Sequence, residues 1–153
     1  MTTAESANPL LNMLNSVVPF ARHVQILVTA ADAEGAAAVL PDAPFLLNHV
    51  GSQHAGALYT LGEAASGAAM TAAFADLLGN ATPLVRQATV RYLKVARGEI
   101  AAAARLNRPA DAVRAAFMAE GKADFGIEVS LRDAGGTDVA VMDVEWSLRR
   151  RGG

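Results

Sequence analysis

The sequence predicts an α+β fold in which one antiparallel sheet wraps a long central helix, and three observations carry that expectation. Residues 54–75 have a helical rhythm with no clearly polar face. Leu58, Leu61, Ala65 and Ala68 share one side, while Tyr59 and Met70 flank Glu63, the one carboxylate, on the other. Residues 122–132 and 139–148 alternate about Asp133-Ala134-Gly135-Gly136, the pattern of a long antiparallel hairpin. The order helix, hairpin, long apolar helix and then several strands fits a sheet covering one helix. A helix that is apolar all round is buried all round, so in 153 residues a sheet, an oligomer interface or both must cover it.

Taken in order, residues 1–22 lack a positive region ahead of an uninterrupted apolar run. Leu10, Leu11, Leu14, Val17 and Val18 have helical spacing, so this segment is expected to be a short amphipathic helix on the body, bracketed by Asn8-Pro9 and Pro19, and not a signal peptide. Residues 23–149 form a single domain, and 150–153 a basic tail. Residues 24–31 and 36–40 read as a hairpin about Asp32-Ala33-Glu34-Gly35. Pro41 and Pro44 interrupt it, and Phe45-Leu46-Leu47 is most simply core, with pocket lining as the second reading. The central helix fades over 76–80, where Gly79 is a candidate C-cap. Residues 89–96 read as a strand. Residues 99–106 are an apolar strand candidate; propensity alone makes 100–104 helical, and the strand rests on the family resemblance given below. Residues 110–120 form a helix before Gly121, and then comes the strand that places Ala123, Phe125, Ile127, Val129 and Leu131 on one face.

Composition excludes several functions. A formal net charge of −2 leaves no electrostatic footprint for nucleic acid. No stretch is long and apolar enough to span a bilayer, so no membrane partner and a cytoplasmic location are expected. The chain has no Cys, which removes disulfides, thiolate zinc sites and a cysteine nucleophile. Its three His residues, 23, 49 and 54, join no clustered carboxylates at ligand spacing, so no metal site is expected.

The chemistry concentrates on residues 48–67. A carboxylate on an apolar helix either finds donors or has its pKa raised, and such groups serve as general bases or nucleophiles. The plainer alternatives are that Glu63 reaches solvent at a gap or pairs with an Arg from a strand. Ahead of it, Asn48, His49, Gly51, Ser52 and Gln53 form a polar loop that runs into His54-Ala55-Gly56 at the first turn. The first amides of a helix have no intrahelical partner and suit an oxyanion or polarised carbonyl, and small residues there admit a ligand. A carbonyl polariser and a carboxylate on one helix are two parts of an acyl-transfer site.

The run Asn48, Gly51, His54-Ala55-Gly56, Leu61, Glu63 and Ala64 resembles the signature of hotdog-fold thioesterases of the phenylacetyl-CoA thioesterase (PaaI-like) type, including their less characterised YiiD-like relatives. In that pattern an acidic residue follows the second Gly by seven positions, as Glu63 follows Gly56. The stretch Tyr92 to Gly98 is similar to the family's second motif, with Val95 in place of a frequent Pro and the Gly one position early. The likeness covers roughly residues 20–150.

The resemblance implies a hotdog fold assembled as a homodimer or homotetramer, with active sites between protomers. It implies hydrolysis of an acyl-CoA or related thioester to a carboxylate and a free thiol, with no cofactor beyond the coenzyme A of the substrate. Glu63 is then nucleophile or general base. The Ala55 and Gly56 amides polarise the carbonyl, and Asn48, from across the interface, holds water or the carbonyl. His54 orients the loop or thioester, or simply caps the helix. Arg86, Arg91, Lys94 and Arg97 lie on or near the strand after the helix; they are either a solvated face or contacts to coenzyme A phosphates. Where some relatives carry Ser or Thr one turn after the acid, this chain has Gly67, and Ser66 and Thr71 point elsewhere on the wheel. Two other functions share the fold: a non-catalytic acyl-thioester binder, and a dehydratase or hydratase, whose usual acid/base His with its own partner spacing is not found here.

Overall fold

The computed structural model describes residues 8–152. Helices α1 (Pro9–Leu14) and α2 (Pro19–His23) precede strands β1 (Leu27–Ala31) and β2 (Gly35–Leu40). A single 3-10 turn leads into the central helix α3 (Ala55–Phe74), followed by β3 (Ala81–Tyr92) and β4 (Ile100–Leu106). Helix α4 (Ala110–Glu120) and the long hairpin β5 (Lys122–Arg132) and β6 (Asp138–Arg150) complete the chain. The six strands form one antiparallel sheet in the order β1-β2-β4-β5-β6-β3, and α3 lies against it.

α3 is buried along most of its length, including Leu58, Leu61, Ala65 and Ala68. Its small residues let it sit close to the sheet. A Cβ at Gly62 would come 2.5 Å from the Met142 sulfur. What remains open is a stripe through Tyr59, Glu63 and Gly67. At its far end, Arg114 of α4 donates to the Ala73 carbonyl and pairs with Asp76, and its guanidinium lies over the Phe74 ring. A cation on the last carbonyls is favourable at a helix C-terminus. The helix therefore ends at Phe74 and passes into a 3-10 turn. Its C-cap is Ala75, and Gly79 takes no part. The left-handed glycine cap occurs instead at Gly121 after α4, with φ 73°.

The N-terminal segment is two short helices, not one. Its residues 1–7 lie outside those described. Pro19 cannot continue a helix and instead opens α2 as its first residue. Asn15 caps the C-terminus of α1, its N–H donating to Leu11 C=O at 2.9 Å, while its carboxamide accepts from Val28 N–H at 2.8 Å and donates to Val28 C=O at 3.0 Å. That pair of bonds fastens the segment to β1. β1 starts later than the apolar run suggests, because Gln25 adopts φ 62° ahead of it. The Asp32 turn forms as expected, with its carboxylate accepting from the Glu34 and Gly35 amides.

The strand expected at 89–96 is shifted. β3 spans twelve residues and stops at Tyr92, so Lys94 and Arg97 sit on a loop. Pro83 is tolerated because β3 is the sheet edge, with β6 on one side only. β6 runs through Arg150, which lies over the Phe117 ring; the strand thus includes the first residue of the expected tail.

Candidate active site

Two local constructions occupy α3. At its start the chain is held by crossed hydrogen bonds. The Asn48 side chain accepts from the Val50 and Ser52 amides at 3.0 Å each and bonds the Ser52 hydroxyl. Gln53 is buried, and its Nε2 donates to Pro41 C=O at 3.0 Å and Gly98 C=O at 2.8 Å. His54 N–H donates to Leu46 C=O, and the Tyr92 hydroxyl donates to Ala55 C=O at 3.0 Å. Burial, and secondly Tyr59, push the Tyr92 phenol upward.

The first amides are not equivalent. The Gly56 N–H donates to His54 Nδ1 at 2.8 Å. Of the alternatives for His54, the structure has the cap, and Gly56 is therefore occupied. The Ala57 and Leu58 amides reach the His54 carbonyl. Ala55 N–H, on an exposed residue, has no acceptor among the described residues. It opens on a shallow depression that Asn48, Leu58, Tyr92, Lys94 and Val95 also line.

Eight residues further along, about 12 Å of helix rise away, Glu63 faces a different space. It is half-buried, and desolvation holds its pKa above the ordinary 4.5, with no ion pair to offset it among the described residues. Glu63 and Gly67 line an apolar cavity of about 240 Å³ between α3 and the N-terminal segment. Thr71 lines it too, so that residue is on the side of the acid despite its wheel position. Ser66 is not available. Its hydroxyl donates to Glu63 C=O at 2.8 Å and accepts from Trp146 Nε1 at 3.1 Å.

The structure thus brings Asn48, His54, Ala55 and Lys94 together at one end and Glu63 with Gly67 at another, and does not join the two groups within the chain. The basic residues disperse. Arg86 pairs with Asp124 at 3.2 Å, and Arg97 donates to Gly51 C=O. Arg91 lines a groove with Arg105, Arg132 and Asp143 on the sheet face turned from α3. Of the Phe45-Leu46-Leu47 run, Leu46 is core and Phe45 is exposed. Among the described residues no group of three His, Asp or Glu could hold a metal ion, and no helix is long and apolar enough to cross a membrane.

Sequence reasoning did not single out Gln53, Tyr92 or Trp146 individually, because their importance lies in long-range partners. Replacing Gln53 by Leu strands two carbonyls, so a loss of about 2 kcal/mol is expected, partly offset because Gln53 Oε1 is itself buried without a partner. Urea unfolding checks this: the midpoint should fall with the slope unchanged.

The fold is the hotdog fold, an antiparallel sheet around a long helix. A Pseudomonas aeruginosa protein of unknown function, described as a probable thioesterase, is 26% identical, with a TM-score of 0.83 over 93% of this chain and 94% of that one. The Escherichia coli PaaI protein from the phenylacetic acid degradation operon is 16% identical, with a TM-score of 0.71 over 93% and 91%. No curated protein matches the chain. The family model described as a domain of unknown function, DUF4442, matches residues 7–148. With nearly all of its length matched, the chain belongs to that family.

Proposed function

We propose that this protein is a thioesterase that hydrolyses an acyl-CoA to a carboxylate and free coenzyme A. The observation that carries the reading is Glu63, a desolvated carboxylate opening on an apolar cavity, on the helix whose first amide has no acceptor. The probable-thioesterase description of the Pseudomonas aeruginosa relative agrees with it.

In the general-base route Glu63 takes a proton from water as the oxygen attacks the thioester carbon. Ala55 N–H holds the oxyanion, the C–S bond breaks, and the departing thiolate receives the proton. In the nucleophilic route the Glu63 carboxylate attacks the thioester carbon, the C–S bond breaks to expel the thiolate, and water then opens the resulting anhydride, releasing the acid, regenerating Glu63 and supplying the proton the thiolate takes up. Either route needs the acid and the amide within about 3 Å of one carbonyl, and one α3 separates them by two turns. A homodimer resolves this. β3 is an open edge of twelve residues beside exposed Leu84, Val85, Leu93 and Val95. Pairing two such edges about a two-fold normal to the sheet reverses α3, bringing one protomer's Ala55 and Asn48 toward its partner's Glu63. Lys94 beside Ala55 is the cation best placed for a coenzyme A phosphate.

Thiol release from acetyl-, hexanoyl-, octanoyl-, palmitoyl- and phenylacetyl-CoA tests the reading; the chain has no Cys to give background. Hydrolysis of at least one ester is expected. Saturable binding of these esters without thiol release would leave a non-catalytic binder instead.

A further inference from the structure

We propose that the cavity beside Glu63 is the acyl pocket, that it takes a straight-chain aliphatic group of about eight carbons, and that the N-terminal helices and Trp146 set this limit. The occupant's identity rests on the thioesterase reading. A methylene is about the size of a water molecule, roughly 30 Å³, so 240 Å³ holds about eight.

The walls are mostly aliphatic, with Asn15, Arg22 and Thr71 as the polar members beside Glu63, and come from distant parts of the chain. Leu14, Val17, Val18 and Ala21 close one side, and Val17 and Val18 are 55% and 47% exposed, apolar surface with nothing over it. An alkyl chain lying there would remove that surface from water. Asn15 is in the wall, and its carboxamide is held in place by one bond at each end to Val28. Trp146 is the single aromatic ring in the lining.

The other side is a molecular ruler. The Trp146 indole donates to Ser66, and Ser66 donates to the Glu63 carbonyl, so one buried hydroxyl ties the pocket wall to the residue at the reacting end. Gly67 lies between them. A Cβ there would meet the Trp146 ring at 3.7 Å, an ordinary contact, so a side chain added at this position starts against the indole. Gly67 is thus a specificity residue: its missing side chain is the room for the substrate.

Trp146 is the only tryptophan, which makes occupancy readable without turnover. Titrating the Glu63→Gln protein with octanoyl-CoA should change Trp146 emission saturably, while free coenzyme A should not. On the wild type, kcat/KM should rise about fourfold per methylene until the pocket is full. Gly67→Leu should move the break about four carbons shorter. Ala21→Leu, from the opposite wall, should also shorten it and serves as an independent variant. Silent emission, or chain-length profiles in both variants parallel to wild type, would overturn the proposal. An emission response without hydrolysis of any ester would sink the thioesterase reading and leave the pocket. Glu63-dependent hydrolysis with silent emission and unshifted profiles would do the reverse.

Discussion

Glu63→Gln is expected to lower turnover by about 10²–10⁴-fold while raising the melting temperature at neutral pH. The two effects share one cause. Burial raises the Glu63 pKa above 4.5, so the folded state keeps a proton that the unfolded chain has released. Stability therefore falls as pH rises between the unfolded and folded values, and the full penalty persists above the folded one. Below the unfolded value the penalty is absent. Gln carries no charge at any pH, so the variant should melt above wild type at pH 7.5 and level with it below pH 4, about where an ordinary Glu is protonated. The acid limb of the wild-type kcat/KM profile should lie above the ordinary 4.5 and vanish in whatever activity the variant keeps. Melting curves at the two pH values and one pH–rate profile check all of this. A variant that turns over at the wild-type rate would remove Glu63 from the mechanism.

Ala55→Pro should cost about 10²–10³-fold in kcat with the helix intact, the usual cost of removing one oxyanion donor. Proline deletes the N–H and nothing else that this position uses. It is favoured at the first residue of a helix, where the amide is an orphan. The preceding residue, His54, already has φ −63° and ψ 137°, the extended conformation that proline requires before it. The His54 cap on Gly56 and the Tyr92 bond to the Ala55 carbonyl both survive. Circular dichroism should match wild type and KM should change little, because the interaction belongs to the transition state. An unchanged kcat would show that Ala55 N–H does not hold the oxyanion.

Which parts were legible depends on the range of the forces that decide them. The β5–β6 hairpin follows from strict alternation and a four-residue turn, and α4 from its pattern and the following Gly121, so these were placed closely. β4 was not. Ile100-Ala101-Ala102-Ala103-Ala104 has helical propensity, yet it pairs with β2 and β5 on its two sides. Two ladders of backbone hydrogen bonds outweigh the few tenths of a kcal/mol per residue that propensity offers. The N-terminal segment is helical and packs on the body as expected, but it breaks in two: Leu14, Val17 and Val18 keep helical spacing, while α1 ends at Asn15, whose side chain bonds a strand residue thirteen positions later.

By itself the sequence determined one helix too apolar to be exposed, the sheet-forming segments that cover it, a lone carboxylate on that helix, and a glycine-containing polar loop at its start. These are local patterns of hydrophobicity and backbone freedom, and short-range physics fixes them. Only the tertiary structure decided that His54 satisfies Gly56 and leaves Ala55 open, that Ser66 serves Trp146 and not the acid, and that the cavity at Glu63 is closed by residues from the chain's first turns. The first is a choice among local partners, since His54 and Gly56 are two residues apart; the other two are competitions for a hydrogen-bond partner or for volume between residues far apart in sequence, settled only when packing brings them together.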